Sequence, residues 1–191
     1  MARTREFDVG QAVDRAMDLF WRRGYAETSL QDLLQELSIG SGSFYAAFGS
    51  KEELYIRALE RYTSLQGSDL LEILDNTAEI RPALRRMFAS MIEADLAEPT
   101  RGCLVVNAAT QCGDQTSAAD RVTTAIKQVD SFLAGALEQA QARGELSPGK
   151  DPRQLARFLT TFVQGVRIVG RARMGREFVE DALDTAMRTL D

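Results

Sequence analysis

The sequence predicts an all-α protein, and three observations carry that prediction. Apolar residues recur at helical spacing along most of the chain, and no run alternates as a β-strand would. Polar capping residues are followed three positions later by Gln or Glu at Asp8–Gln11, Thr28–Gln31 and Ser50–Glu53, which is how helix starts are written. The four prolines stand at 82, 99, 148 and 152, so long helices can run between breaks without interruption.

In order along the chain, Asp8 is the expected cap of a first helix. Val9, Val13, Ala16, Met17 and Phe20 form its apolar side and Gly24 its stop. Thr28 is expected to cap a second helix that buries Leu30, Leu33, Leu34 and Leu37. The stretch from Ser38 to Ser43 is too polar and Gly-rich to favour a helix by propensity alone, but Phe44, Tyr45 and Phe48 follow it. Ser50 then opens a long helix through Leu54, Ala58, Leu59 and Tyr62. Beyond the head, the spacing predicts helices over roughly 51–75, 81–97, 103–112, 116–143, 152–173 and 176–190. The division expected is a head over 1–50 and a larger helical body over 51–191.

With 191 residues, 45% hydrophobic and 27% charged, the chain can bury a core. No apolar run reaches the ~20 residues that cross a bilayer, and the start, Met1 to Arg5, is polar. A cytoplasmic location without membrane contact is the expectation. The two cysteines, Cys103 and Cys112, do not form a disulfide framework. Histidine is absent, which removes the commonest general base and metal ligand. Phosphate loops, metal spacings and nucleophile elbows are missing too. Neither an enzyme nor a bound metal or cofactor is expected.

The net charge of −5 argues against a polyanionic partner only if charge is spread evenly, because contact depends on the local face. No Asp or Glu occurs from Leu37 through Lys51, so phosphates would meet no repulsion there. Within that stretch Ser41, Gly42 and Ser43 offer hydroxyl groups and little bulk, which suits the front of a helix entering a DNA groove. Phe44 and Phe48 are expected to pack backward. Tyr45 can lay its ring on the head and aim its hydroxyl at a phosphate. Lys51 would add a cation at the start of the fourth helix, and Thr28 would reach phosphate from the start of the second. Arg3 and Arg5 form a short basic arm for an adjacent groove or backbone.

The run TSLQDLLQELSIGSGSFYAAFGSKEELY, Thr28 to Tyr55, resembles the DNA-binding head of the TetR family. The parts in common are a capped helix, a tight turn at Ser38-Ile39, a short recognition helix ending in a Tyr-x-x-Phe element (Tyr45 to Phe48), and Ser50-Lys51-Glu52 opening the fourth helix. The resemblance is strong over residues 8–62. It implies a repressor in which a helix-turn-helix head sits on a helical-bundle domain that binds a ligand and dimerises. Two departures stand out: Leu37-Ser38 precedes the turn where many members carry a pair of small residues, and Ser41 stands where many carry Lys.

In the body, Leu155, Phe158, Leu159, Phe162, Val163, Val166 and Val169 make a band broader than a surface helix needs. Gly165, Gly170 and Ala172 permit close helix approach. With Leu183 and Met187 of the last helix, Phe162 and Val166 are expected to form a four-helix homodimer interface, as the resemblance also implies. Two recognition helices must lie about 34–36 Å apart to enter successive major grooves of a palindromic operator.

An effector pocket is expected among segments 84–97, 103–112 and 122–140, with Phe88, Met91, Ile92, Cys103, Leu104, Phe132 and Leu137 as its lining. The segment Arg101-Gly102-Cys103-Leu104 resembles a Gly-Cys-Leu motif of one branch of the family, which includes repressors that sense electrophiles. A thiol at a helix start beside Arg101 can react as thiolate, whereas a buried free cysteine only packs. The effector class expected is a small apolar or electrophilic molecule. A helical interaction module without DNA contact is the rival reading, distinguished by the absence of salt-dependent duplex binding.

Overall fold

The Asp8 carboxylate accepts the Gln11 amide at 3.1 Å and opens α1, Val9–Arg23, which Gly24 ends at a φ of +88°. The computed structural model describes residues 7–75, 79–98, 101–111 and 117–191. Among these residues there are no strands. The helices that follow α1 are α2 Leu30–Leu37, α3 Ser41–Phe48, α4 Lys51–Asp75, α5 Ile80–Ala97, α6 Leu104–Gln111, α7 Ser117–Ala142, α8 Pro152–Arg171 and α9 Arg176–Arg188. The predicted boundaries agree to within a few residues. Pro152 occupies the first turn of α8, where its missing N–H costs nothing. Arg3, Arg5 and Cys112 lie outside the described residues.

One cap differs from expectation. The N-cap of α2 is Ser29 rather than Thr28. The Asp32 amide donates to Ser29 Oγ at 3.1 Å, and the Ser29 amide donates to Asp32 Oδ2 at 2.8 Å. This reciprocal box uses a shorter acid in place of the predicted Gln31.

The apolar residues form two cores. The first joins α1–α3 to the first half of α4, through Ala16, Phe20, Leu33, Phe44, Phe48, Leu54 and Tyr55, and continues into Leu104 and Ala108 of α6. The second lies among α5, α7, α8 and α9. The stalk helix α4 therefore belongs to the head at one end and reaches into the body at the other. Helix α3 forms despite Gly42 because Phe44 and Phe48 are fully buried one turn apart. Burying each is worth about 1.5–3 kcal/mol, against roughly 1 kcal/mol for the glycine.

Candidate nucleic-acid interface and the cavity behind it

The turn between α2 and α3 is set by Ser38, in the left-handed region at φ 57°, ψ 41°. The Ser38 amide donates to Gln35 O and the Ile39 amide to Leu34 O, each at 3.2 Å. This is a Schellman closure made without glycine, and half-buried Ile39 and Leu34 pack against the same core. The turn leaves the first residues of α3 facing outward. Ser41, Gly42 and Tyr45 are exposed and Ser43 is half-buried. A Cβ added at Gly42 would meet nothing within 4 Å. No side chain caps α3, so its first amides have no side-chain acceptor at this end.

Tyr45 stacks its edge on Phe44, centroids 5.5 Å apart, and is 52% exposed. The Lys51 ammonium sits 4.3 Å from the centroid of the Tyr25 ring, which holds it near the N-terminus of α4. Burial lowers the Lys51 pKa, and the Asp32 carboxylate partly opposes this. Ser41, Gly42 and Tyr45 are thus exposed on α3, and half-buried Lys51 opens α4 three residues after α3 ends. Thr28 does not join them. It is fully buried and its hydroxyl donates to Gly24 O at 2.7 Å, so it has neither access nor a free donor for phosphate. Exposed Ser29 takes the capping position that Thr28 was expected to fill, and its hydroxyl donates to Asp32 Oδ2 at 2.5 Å. A one-residue ambiguity between adjacent Thr and Ser hid this from the sequence.

Behind the head, a cavity of about 280 Å³ opens between α4, α5, α6, α7 and α8. Met91, Cys103 and Phe132 line it as expected. Phe88 borders only a small neighbouring void. Ile92, Leu104 and Leu137 are packed into the cores instead, because their faces of α5, α6 and α7 turn toward neighbouring helices. The polar end of the cavity was missed. Tyr62 and Gln66 come from α4, and Gln164 and Arg167 from α8, two helices that the sequence assigned to stalk and interface. The i, i+4 spacing that puts Tyr62 and Gln66 on one face of α4 was the available signal. A second groove of about 340 Å³ adjoins the cavity, sharing Thr63, Val105, Ala125 and Gln128, and the Arg121–Glu60 ion pair (3.1 Å) lies along it.

At that polar end Arg167 and Asp95 form a buried ion pair at 2.8 Å, with 6% and 5% of the two side chains exposed. Burial raises the Asp95 pKa and Arg167 opposes it. The second Arg167 nitrogen donates to Gln66 Oε1 at 3.2 Å. The Tyr62 hydroxyl donates to Cys103 Sγ at 3.5 Å. Burial and the adjacent Cys103 hold the Tyr62 pKa well above its ordinary value.

The segment before α6 ties this cavity to the head. Trp21 of α1 donates its indole N–H to Gly102 O at 2.8 Å. The Arg101 guanidinium covers the Trp21 ring at 3.8 Å and pairs with Asp18. Trp21 also meets Tyr62 edge-on, centroids 4.8 Å apart. Asn107 donates to Arg101 O at 2.9 Å and accepts from Arg171 of α8.

The expected dimer residues are not on the surface. Val166, Leu183 and Met187 are buried in the second core, and half-buried Phe162 packs on Phe88 with centroids 5.6 Å apart. These positions close the chain's own core because α8 and α9 turn their most apolar faces inward against α5 and α7. The large apolar side chains left outward are Phe158 and Ile168 on α8, Phe178 on α9 and Met174 in the turn between them.

Residues 12–58 match the family described as bacterial regulatory proteins, tetR family, and residues 81–190 match the tetracyclin repressor-like C-terminal domain. The chain is similar to the HTH-type transcriptional repressor ComR of Escherichia coli (strain K12), 31% identical over 97% of this chain and 90% of ComR. It is also 29% identical to the HTH-type transcriptional regulator YezE of Bacillus subtilis (strain 168), over the full length of both. Among solved structures, a cysteine-substituted TetR family transcriptional regulator CifR, complexed with 26-bp double-strand operator DNA, superposes with a TM-score of 0.88. It is 30% identical and both chains are fully covered.

Proposed function

Because the chain belongs to the TetR family of bacterial regulatory proteins, we propose that it is a transcriptional repressor that binds a palindromic double-stranded DNA operator as a homodimer and is released by a small apolar or electrophilic effector. The observation that carries this reading is the front of α3. Small, exposed, carboxylate-free residues face outward while Phe44 and Phe48 anchor the helix from behind. Ser41, Gly42 and Ser43 approach base edges, and Tyr45 and Lys51 hold phosphates. Operator DNA bound to the similar regulator CifR supports the same use of this head.

In this reading residues 1–50 are the DNA-binding domain and 51–191 the sensing and dimerising domain, with α4 shared between their cores. The cavity walled by Met91, Cys103 and Phe132 takes the effector. A ligand that binds the DNA-free arrangement more tightly by about 1–3 kcal/mol is enough to shift occupancy of the operator. It would act through α4 and through the Arg101–Cys103 segment, both of which touch cavity and head.

Selection of bound fragments from the source genome supplies the operator, and fluorescence anisotropy on that duplex tests the assignment. Lys51→Ala should weaken binding to every sequence and lower the salt-dependence slope by about one. A folded variant with unchanged affinity and slope removes Lys51 from the interface. If no fragment is enriched and no duplex binds in a salt-dependent way, the reading as a DNA-binding repressor fails.

A further inference from the structure

The cavity's walls are mostly apolar, supplied by Met91, Ile126, Val129, Phe132 and Val163. Its polar end is organised by a cation that is already neutralised. Arg167 is held by Asp95 at 2.8 Å, and both are almost completely buried. A guanidinium donates hydrogen bonds and accepts none, so whatever meets Arg167 must offer an acceptor. A second buried anion would have to share Arg167 with Asp95, and a cation would be repelled by Arg167. Either would leave an uncompensated charge away from water, which costs several kcal/mol per ion. Among the described residues, the other hydrogen bond of Arg167 is a 3.2 Å bond to the Gln66 amide oxygen, at the long end of the normal range. Gln66 is half-buried, so its amide can find water if displaced.

Resting on the assignment of this cavity to the effector, we propose that the effector is an uncharged, mainly apolar molecule bearing a carbonyl or ether oxygen, and that this oxygen replaces Gln66 as the acceptor on Arg167. The exchange has a mechanical consequence. Gln66 belongs to α4 and Arg167 to α8, so the displaced bond is one that joins the stalk helix to the rest of the body. The Asp95–Arg167 pair stays intact and keeps the donor in place, while α4 loses a tether. Selectivity for neutral ligands and release of the stalk then follow from the same residue.

Three probes of equal chain length but different end group separate the possibilities: 2-octanone, octanoate and protonated octylamine. Binding to the full-length protein is read by titration calorimetry and by the fluorescence of Trp21, the only tryptophan, which lies against Tyr62. The ketone should bind at least about tenfold more tightly than either ion, as expected when one arm strands a buried charge. In Gln66→Leu, which leaves the Asp95–Arg167 pair in place, the competing acceptor is gone and the ketone should bind about threefold more tightly or better. Tighter binding of octanoate overturns the neutral preference while leaving the cavity as the effector site. Unchanged ketone affinity in Gln66→Leu overturns the displacement. Failure of all three probes to bind overturns the cavity assignment and this inference with it.

Discussion

Cys103 borders the cavity, receives the Tyr62 hydroxyl, and follows directly on the Arg101–Gly102 contact with Trp21. A packing role and a sensing role therefore fall on the same 8%-exposed side chain. The two roles separate under N-ethylmaleimide. If Cys103 is the sensor, one adduct forms there, the bulk disturbs a closely packed wall, and the wild type leaves its operator while Cys103→Ser stays bound. Cys112→Ser serves as the second-cysteine control. A wild type that keeps its DNA with Cys103 unmodified shows that the thiol only packs. Adduct mass and operator anisotropy measured together decide the matter. At this same scale, Ser29 and Thr28 show how one position matters, since the cap goes to the residue whose hydroxyl is not already given to Gly24.

Between elements, α1 and the segment preceding α6 are joined by a hydrogen bond, a stacked guanidinium and an ion pair. These contacts link head and body beside α4, whose Tyr62 meets Trp21 edge-on. Trp21→Phe keeps an aromatic ring but removes the indole donor, leaving Gly102 O without its partner. It should cost about 1–2 kcal/mol in urea denaturation. Trp21→Leu, which removes the ring, Arg101→Ala and the double variant should show a coupling of about 0.5–1 kcal/mol, the size of a cation–π contact. Strictly additive losses would mean that ring and guanidinium contribute independently. The turn between α2 and α3 makes a related point about elements: Ser38 adopts a left-handed conformation that usually favours glycine, and the two flanking backbone bonds with the Ile39 contact hold it there.

For the whole molecule, the proposed homodimer on a two-fold operator needs an outward apolar face on each copy. Phe158 and Ile168 lie on the outward stripe of α8 with Gly165, where an added Cβ would meet nothing, and Phe178 is exposed on α9. Ile168→Glu should fold, because the residue is 53% exposed in the single chain, and should sediment as a monomer with weakened operator binding. Leu183→Glu should instead destabilise the monomer itself, because Leu183 is 3% exposed and a buried unpaired charge is costly. Wild-type protein that sediments as a monomer at micromolar concentration would sink the dimer proposal.

The periodic spacing of apolar residues, the capping pairs and the placement of proline were sufficient to read the helices and their order, because those are local properties with a fixed period. The front and back of α3 were equally legible: Phe44 and Phe48 fall one turn apart, and small residues precede them. Tertiary packing alone decided which of several apolar faces closes inward. Leu183 and Met187 look the same in sequence whether they meet a second copy or α5, and Ile92, Leu104 and Leu137 look the same whether they line a cavity or fill a core. It also decided the chemistry of the cavity, since Gln66, Asp95 and Arg167 are brought together from three helices far apart in the chain. Helical periodicity says which residues share a face, but what that face meets depends on how the helices cross.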